Sequence, residues 1–177
     1  MKIIKKILLV FFGGLILMFL VSIFLPSKYE IERTEKFSCS KDALYQYLIN
    51  IDNLDNWFYI TKELDSTLVY KFAQDSAEVQ SSVEWNGDLM GQGVFQYTNL
   101  TENEIIEFKI SFQNDAVSKN GKISLTTGKD DSTKVVWIDY GENGWNPVNR
   151  IFGLFIDGFL GPDMEKSLSK LKNNLDC

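Results

Sequence analysis

The sequence predicts an α+β fold, in which helices cover one face of an antiparallel sheet and an apolar segment precedes both. Three observations lead to this prediction. Residues 7–25 carry no charged side chain. Seven later segments alternate apolar and polar residues with a period of two, which is typical of half-buried strands. After residue 146 the apolar residues change to the spacing of a helix.

The first segment has the length and composition of a membrane span. An uncharged run from Ile7 to Leu25 follows Lys2, Lys5 and Lys6. As a helix with a rise of about 1.5 Å per residue it would cover about 28 Å, close to the ~30 Å hydrocarbon core of a bilayer. The lysines favour a cytoplasmic N-terminus, so the chain after the run would lie on the other side. We expect an anchor in residues 1–26 and one domain in residues 27–177.

Two alternatives to an anchor remain open. The first is a cleaved signal peptide, although its apolar core is usually shorter and ends in small side chains. Near the end of this run only Ser22 is small. The second is a buried helix, which would be apolar on one face rather than all round.

The charge of the remaining chain limits its partners. All 24 acidic residues but only 15 of the 18 basic residues follow Pro26, which gives that part a formal charge of −9. Such a surface repels nucleic acid phosphates and anionic lipid head groups, so we expect no nucleic acid partner. About 150 residues are enough for one domain with a real core.

The residue types also limit the chemistry. The chain has no histidine, which excludes histidine-containing zinc sites and the Ser-His-Asp and Cys-His nucleophile systems. We therefore expect no metal and no cofactor. Cys39 and Cys177 could pair in an oxidising compartment, but two cysteines do not form a disulfide framework. We expect them to be unpaired thiols.

The pattern after the anchor predicts the order strand, helix, six strands and long helix. Tyr29–Phe37 alternates as a strand, and Ser40 would cap a helix that runs to Ile49, with Asp42 in its first turn. Short turn-forming links predict antiparallel neighbours in a meander. The six further strands are predicted at Thr67–Ala73, Glu78–Trp85, Gly93–Asn99, Ile105–Phe112, Gly121–Thr127 and Thr133–Tyr140.

The last segment, from Pro147 to Leu175, has helical apolar spacing that would cover the sheet. Proline removes a backbone donor and clashes with the preceding turn. We therefore expect an interruption at Gly161-Pro162, with two helical halves that are collinear or kinked.

Three stretches of this chain resemble one known family. They are Leu25–Arg33, Trp85–Gly93 and the segment from Asn149–Asp157 through Leu160–Lys166. The chain is similar to the helix-grip fold of the START-like or polyketide cyclase superfamily, and to its bacterial membrane-anchored members, usually labelled SRPBCC proteins. The resemblance implies a curved antiparallel seven-stranded sheet wrapped around a long C-terminal helix. It also implies a bacterial cytoplasmic membrane as the location, with the domain outside.

The resemblance further implies a cavity between sheet and helix, which holds an apolar ligand in many relatives. Relatives often carry a second Trp and a Pro in the loop after the first helix, where this chain has Asn53–Tyr59. The mouth of the cavity would then differ in shape. The side chains that could line it are Trp57, Tyr59, Trp85, Tyr97, Phe112, Trp137, Arg150, Leu154 and Asp157.

Taken one at a time, the aromatic candidates favour ordinary core over ligand contact. Arg150 precedes Asp157 by seven residues, and a buried Arg–Asp arrangement could orient a polar head group. The alternative is a structural ion pair between helix and sheet. Asp139 and Glu84 are further potential partners of the arginine, and we expect both to be solvated.

Three function classes remain open at this stage. The first is a membrane-tethered binding module for a small apolar molecule or a lipid. The second is a protein-interaction or assembly module with a filled core. The third, and least favoured, is a histidine-free cyclase or hydrolase, which would need acid–base groups such as Asp157 with Tyr97 inside the cavity.

Overall fold

The computed structural model describes residues 2–73, 79–113, 118–129 and 132–177, with the backbone alone at residue 2. The predicted α+β class and element order are confirmed. The α-helices are α1 Lys2–Ile23, α2 Lys41–Ile49, α3 Leu54–Trp57, α4 Pro147–Gly153 and α5 Ile156–Asn174, with a 3-10 turn at Ile51–Asn53. The strands are β1 Lys28–Phe37, β2 Val69–Ala73, β3 Ser82–Gly87, β4 Gly91–Thr101, β5 Ile105–Phe112, β6 Ser118–Thr127 and β7 Thr133–Glu142.

The seven strands form one antiparallel sheet in the order β1-β7-β6-β5-β4-β3-β2. Strands β2 to β7 follow one another as a meander because their links are short, whereas β1 pairs with β7. The strand predicted at Glu78–Trp85 is shorter in the structure, where β3 begins at Ser82, and Glu78 lies outside the described residues. The inner face of the sheet is covered by α2, α3 and α5, and the outer face is polar.

Helix α1 exposes apolar side chains on all sides. Among the described residues it is the one helix whose length and composition would let it cross a membrane. It ends at Ile23, and Pro26 and Ser27 are all that separate residue 25 from the start of β1 at Lys28. The connection to the sheet is therefore very short.

The cap predicted for α2 is confirmed. The backbone N–H of Ala43 donates to Oγ of Ser40 over 3.3 Å, and Asp42 lies in the first turn. Helix α4 has a comparable start, where Oδ1 of Asn146 accepts from the N–H of Val148 at 2.9 Å. Pro147 follows as the first helical residue, where its missing N–H costs nothing.

The interruption predicted at Gly161-Pro162 is wrong. Helix α5 runs through Pro162, and the break lies earlier, between Gly153 and Ile156. Two tight bonds of the i to i+3 type close the end of α4, from Leu154 N–H to Ile151 and from Phe155 N–H to Phe152. Proline deletes only one bond in α5, and burial of the face that holds Met164, Leu168 and Leu171 keeps the helix continuous.

The expectation that the cysteines are unpaired is also wrong. Cys39 and Cys177 form a disulfide, with their Cα atoms 5.5 Å apart. The chain after α5 returns to the link between β1 and α2, where the N–H of Ser38 donates to the carbonyl oxygen of Cys177 at 3.3 Å. Because the two cysteines are 138 positions apart in the sequence, this proximity comes from the tertiary fold and not from any local pattern.

Candidate functional site

Aromatic side chains fill the interior between the sheet and the helices. Trp57 from α3 lies 5.7 Å from Trp137 of β7, and Phe58 lies 6.0 Å from the same indole, measured between ring centroids. The hydroxyl of Tyr97 donates to the carbonyl oxygen of Leu48 on α2. All four side chains are buried. Three of the predicted cavity residues, Trp57, Tyr97 and Trp137, therefore act as core in this structure, and a part in ligand binding stays a prediction for them.

Two further candidates lie at a different part of the sheet. The rings of Trp85 on β3 and Phe112 on β5 pack edge to face at 5.5 Å. They border an open groove of about 540 Å³, which Lys71 and Glu84 line from the outer face. Glu84 is solvated, as expected, and lies 3.5 Å from Lys71.

A cleft of about 260 Å³ lies between the start of β1 and the helices α4 and α5, just after the end of α1. It is enclosed by the start of β1 on one side and by the two C-terminal helices on the other. Arg150, Leu154 and Asp157 all contribute to it, so the structure brings these three predicted residues together. The remaining lining residues are Pro26, Lys28, Tyr29, Glu30, Ile31, Asn143, Gly153 and Ile156.

The predicted arrangement of Arg150 with Asp157 is wrong, and so is the alternative in which an ion pair ties Arg150 to the sheet. The guanidinium donates from Nη1 to the carbonyl oxygens of Ser22 and Ile23, at 3.2 and 3.1 Å, and more weakly to Leu25 at 3.4 Å. Its Nε donates to Gly144 at 2.8 Å. A cation stabilises the C-terminal end of a helix, where carbonyl groups lack partners. Arg150 therefore caps α1.

Asp157 instead forms an ion pair with Arg33 of β1, at 2.8 Å. Arg33 also bonds Glu165 of α5 at 2.7 Å, and these two hydrogen bonds and charges raise its pKa although burial opposes the charge. The break after α4 places Arg150 and Asp157 on separate helices, which is why they do not share a face. Gly161 lies directly against Arg33, which allows α5 to approach β1 closely.

A buried polar cluster lies beside the cleft, on the inner face of β6 and β7. Nζ of Lys119 donates to the hydroxyl of Tyr59 at 2.6 Å and lies 3.7 Å from Oδ2 of Asp139. The indole N–H of Trp137 donates to Oδ1 of Asp139 at 2.6 Å. Asp139 is only 1% exposed, so the expectation that it is solvated is wrong.

The environment of this cluster shifts the pKa of each member. Burial raises the pKa of the Tyr59 hydroxyl, against the attraction of Lys119. Burial likewise raises the pKa of Asp139, and Lys119 and Trp137 oppose that shift. Burial disfavours the charge of Lys119, but its neighbours Tyr59 and Asp139 raise its pKa on balance. At neutral pH the phenol of Tyr59 is therefore neutral and Lys119 is charged.

Tyr29 connects the cluster with the cleft. It lines the cleft, its pKa is raised by burial, and it feels the charges of both Lys119 and Asp139. The cleft can accept an apolar group between Ile31, Leu154 and Ile156, and the phenol of Tyr29 can bind the polar end of the same ligand.

Within the described ranges, no group of three His, Cys, Asp or Glu side chains could hold a metal ion.

The sequence reading missed Lys119, Tyr29 and Arg33 as candidates. A signal existed for the first, because Lys119 has the same parity as Gly121, Ile123 and Leu125 and therefore points inward once β6 is extended. Asp139 likewise continues the inward series of Val135 and Trp137.

Solved structures with the same architecture support the fold at low sequence identity. The chain is similar to the di-domain ARO/CYC protein BexL from the BE-7585A biosynthetic pathway, with a TM-score of 0.60, 16% identity, and coverage of 83% of this chain and 46% of that one. It is similar to the Aha1 dimer from Colwellia psychrerythraea, with a TM-score of 0.55, 16% identity, and coverage of 82% and 95%.

A third similar structure is a protein from Chromobacterium violaceum, with a TM-score of 0.54, 18% identity, and coverage of 86% of this chain and 99% of that one. No protein-family model matches the chain, and no curated protein matches it either. These likenesses define the class of the fold: an antiparallel seven-stranded sheet with a long C-terminal helix, in the α+β helix-grip class.

Proposed function

We propose that this chain is a membrane-tethered binding module for a small apolar molecule or a lipid. Residues 1–26 form its anchor and residues 27–177 its helix-grip domain. The observation that carries the proposal is the cleft of about 260 Å³ between β1 and the C-terminal helices, at the end of α1. A ligand at this position could pass directly between the cleft and the bilayer.

The lining of the cleft fits an amphipathic ligand. Ile31 and Ile156 offer apolar walls, and Leu154 is 55% exposed at its edge. The hydroxyl of Tyr29 could fix a polar end, whereas Nε and Nη1 of Arg150 already bond backbone carbonyl oxygens. The volume is slightly below the range of about 300–1,000 Å³ usual for ligand pockets. We therefore expect the cleft to hold one chain segment or a small head group rather than a whole lipid.

Two observations support a domain outside the cytoplasm of a bacterial cell. Lys5 and Lys6 precede the apolar run, which favours a cytoplasmic N-terminus. The disulfide between Cys39 and Cys177 fits an oxidising compartment, because the cytosol keeps thiols reduced.

Native mass spectrometry of the full chain, released from membranes in mild detergent, tests the binding proposal. Leu154→Trp would fill the edge of the cleft, and Leu89→Trp makes the same change at an exposed position in the turn between β3 and β4. We expect a co-purifying lipid or metabolite on the wild type and on L89W, and its loss from L154W. Spectra in which all three proteins are free of ligand would contradict the proposal.

A protein-interaction or assembly module is the second candidate, and the filled aromatic interior favours it. The same spectra would then show a second copy or a protein partner in place of a small ligand. An enzyme is not proposed, because Asp139, the carboxylate whose pKa burial raises, is held between Lys119 and Trp137 and does not line the cleft.

A further inference from the structure

Large apolar side chains lie exposed around α4 and the start of α5. They form a connected surface, because Val148 and Phe152 are one helical turn apart and the rings of Phe152 and Phe159 stack at 5.2 Å. Trp145, just before α4, is 85% exposed. The apolar rim is defined as Trp145, Val148, Phe152, Phe155 and Phe159, each at least half exposed.

The rim is poor in charge although the chain after Pro26 is strongly acidic. Between residues 143 and 162 the only charged side chains are Arg150 and Asp157. Arg150 is turned to the backbone at the end of α1, and Asp157 is paired with Arg33. The rim therefore presents apolar and aromatic groups with little charge to repel a lipid surface.

The position of the rim follows from its contact with α1. Arg150 lies within α4, between Val148 and Phe152, and donates to the carbonyl oxygens of Ser22, Ile23 and Leu25. These carbonyls lie where the apolar helix ends, which is the depth at which a spanning helix leaves the hydrocarbon. The rim is thus held at that level by hydrogen bonds to the anchor itself.

An exposed apolar surface of this kind is usually covered by a partner. Aromatic side chains, above all Trp, are enriched at the level of lipid head groups, where an apolar ring and a polar N–H are both accommodated. The short connection between α1 and β1 gives the domain little freedom to move away from the bilayer. A lipid surface is therefore the partner that fits both the chemistry and the place of the rim.

We propose that the apolar rim inserts into the boundary between head groups and acyl chains on the far side of the membrane that α1 crosses. It would seat the domain on the lipid, at a depth of about 5–10 Å as for other interfacial helices. This inference rests on the membrane anchor of the proposed function, but it does not depend on ligand binding in the cleft.

Fluorescence of the full chain in phosphatidylcholine vesicles with brominated acyl chains tests the rim directly. Of the four tryptophans, Trp57, Trp85 and Trp137 are buried, so Trp145 is the one open to the surroundings. We expect bromine near the head groups to quench its emission more than bromine near the bilayer centre. The quenched component should disappear in Trp145→Phe.

Each other outcome overturns the inference in a distinguishable way. Protein that does not float with the vesicles would show that α1 is not inserted, and the anchor would fail as well. Inserted protein whose Trp145 is quenched by acrylamide but not by bromine would place the rim in water. Inserted protein shielded from both quenchers would indicate that a protein partner or a second copy covers the rim.

A pair of variants separates insertion from a general effect of surface change. Phe152→Ser with Phe159→Ser removes two exposed rings of the rim, whereas Leu64→Ser with Leu89→Ser removes two exposed apolar side chains elsewhere. We expect most of the bromine quenching of Trp145 to be lost in the first variant and kept in the second. Equal quenching in both, with unchanged thermal unfolding, would contradict the inference.

Discussion

Lys119 and Asp139 form a buried ion pair, with Nζ 3.7 Å from Oδ2. Each member has one further polar partner, which is the hydroxyl of Tyr59 for the lysine and the indole N–H of Trp137 for the aspartate. A buried pair of this kind contributes little compared with apolar residues, but removing one partner leaves an uncompensated charge. The effect of the pair on stability is therefore largest when one of its two members is removed.

We predict that Lys119→Met lowers the free energy of unfolding by about 3–5 kcal/mol, because Asp139 would remain buried without its cation. Adding Asp139→Asn should restore part of that loss, since the amide oxygen can still accept from Trp137. Urea unfolding of both variants measures the difference. Equal stability of the single and the double variant would contradict the role assigned to the pair.

The same pair predicts a stability that falls at alkaline pH. Because the folded state raises the pKa of Lys119 above its usual 10.5, its contribution is complete below that value and is lost as the pH rises through the folded pKa. The wild type should therefore lose stability above about pH 10.5, and the Lys119→Met variant should lose less. The free energy of unfolding of both proteins, measured from pH 9 to 12, tests this prediction. An equal loss of stability in the wild type and in Lys119→Met would contradict it.

The hydrogen bonds to the carboxylate of Asp65 predict that the stability of the fold also falls at acid pH. Its carboxylate accepts from the hydroxyl of Thr67 at 2.5 Å and from the N–H groups of Met90 and Leu89 at 3.0 and 2.8 Å, and these bonds lower its pKa to about 2. A lowered pKa gives stability that is present above the unfolded value and lost as the pH falls towards 2. We predict that Asp65→Asn is less stable at pH 7 and flattens this acid limb.

The matched control for that prediction is Asp88→Asn, which changes an exposed aspartate in the neighbouring turn. Thermal unfolding between pH 2 and 5 should separate the two variants. An unchanged acid limb in Asp65→Asn would show that the hydrogen bonds to its carboxylate do not stabilise the fold.

The two arginines of the chain give a matched pair for the anchor. Arg150 bonds the last carbonyl groups of α1, whereas Arg33 bonds Asp157 and Glu165 on α5. We predict that Arg150→Met speeds hydrogen exchange of the amides of Phe24 and Leu25 in lipid nanodiscs, and that Arg33→Met does not. Both N–H groups bond within the last turn of α1, to Val21 and Ser22. Equal exchange in the two variants would show that Arg150 does not hold this turn.

The fold was largely readable from the sequence, because period-two alternation fixes which strand residues face the core. It gave Ile105–Phe112 with the bounds that β5 has, and it gave the inward series of Val135 and Trp137. The site was less readable. The partners of Arg150 are backbone carbonyl groups. Because every residue has such a group, no pattern of side chains could predict them. The position of the helix break also depends on tertiary burial. The low helix propensity of Pro162 does not predict that burial.

The disulfide between Cys39 and Cys177 supports a last prediction, on stability and location together. It closes a loop with a sequence separation of 138. By the chain-entropy argument a loop of that length stabilises the fold by about 4–5 kcal/mol, and measured values are typically about 2–4 kcal/mol. We predict a loss of that size in urea unfolding when Cys39 and Cys177 are both replaced by Ser. The single variant Cys39→Ser should lose as much, because Cys177 then has no partner.

Protein taken from membranes without reductant should resist maleimide until it is unfolded and reduced. Rapid labelling of native protein would contradict both the bond and an oxidising location.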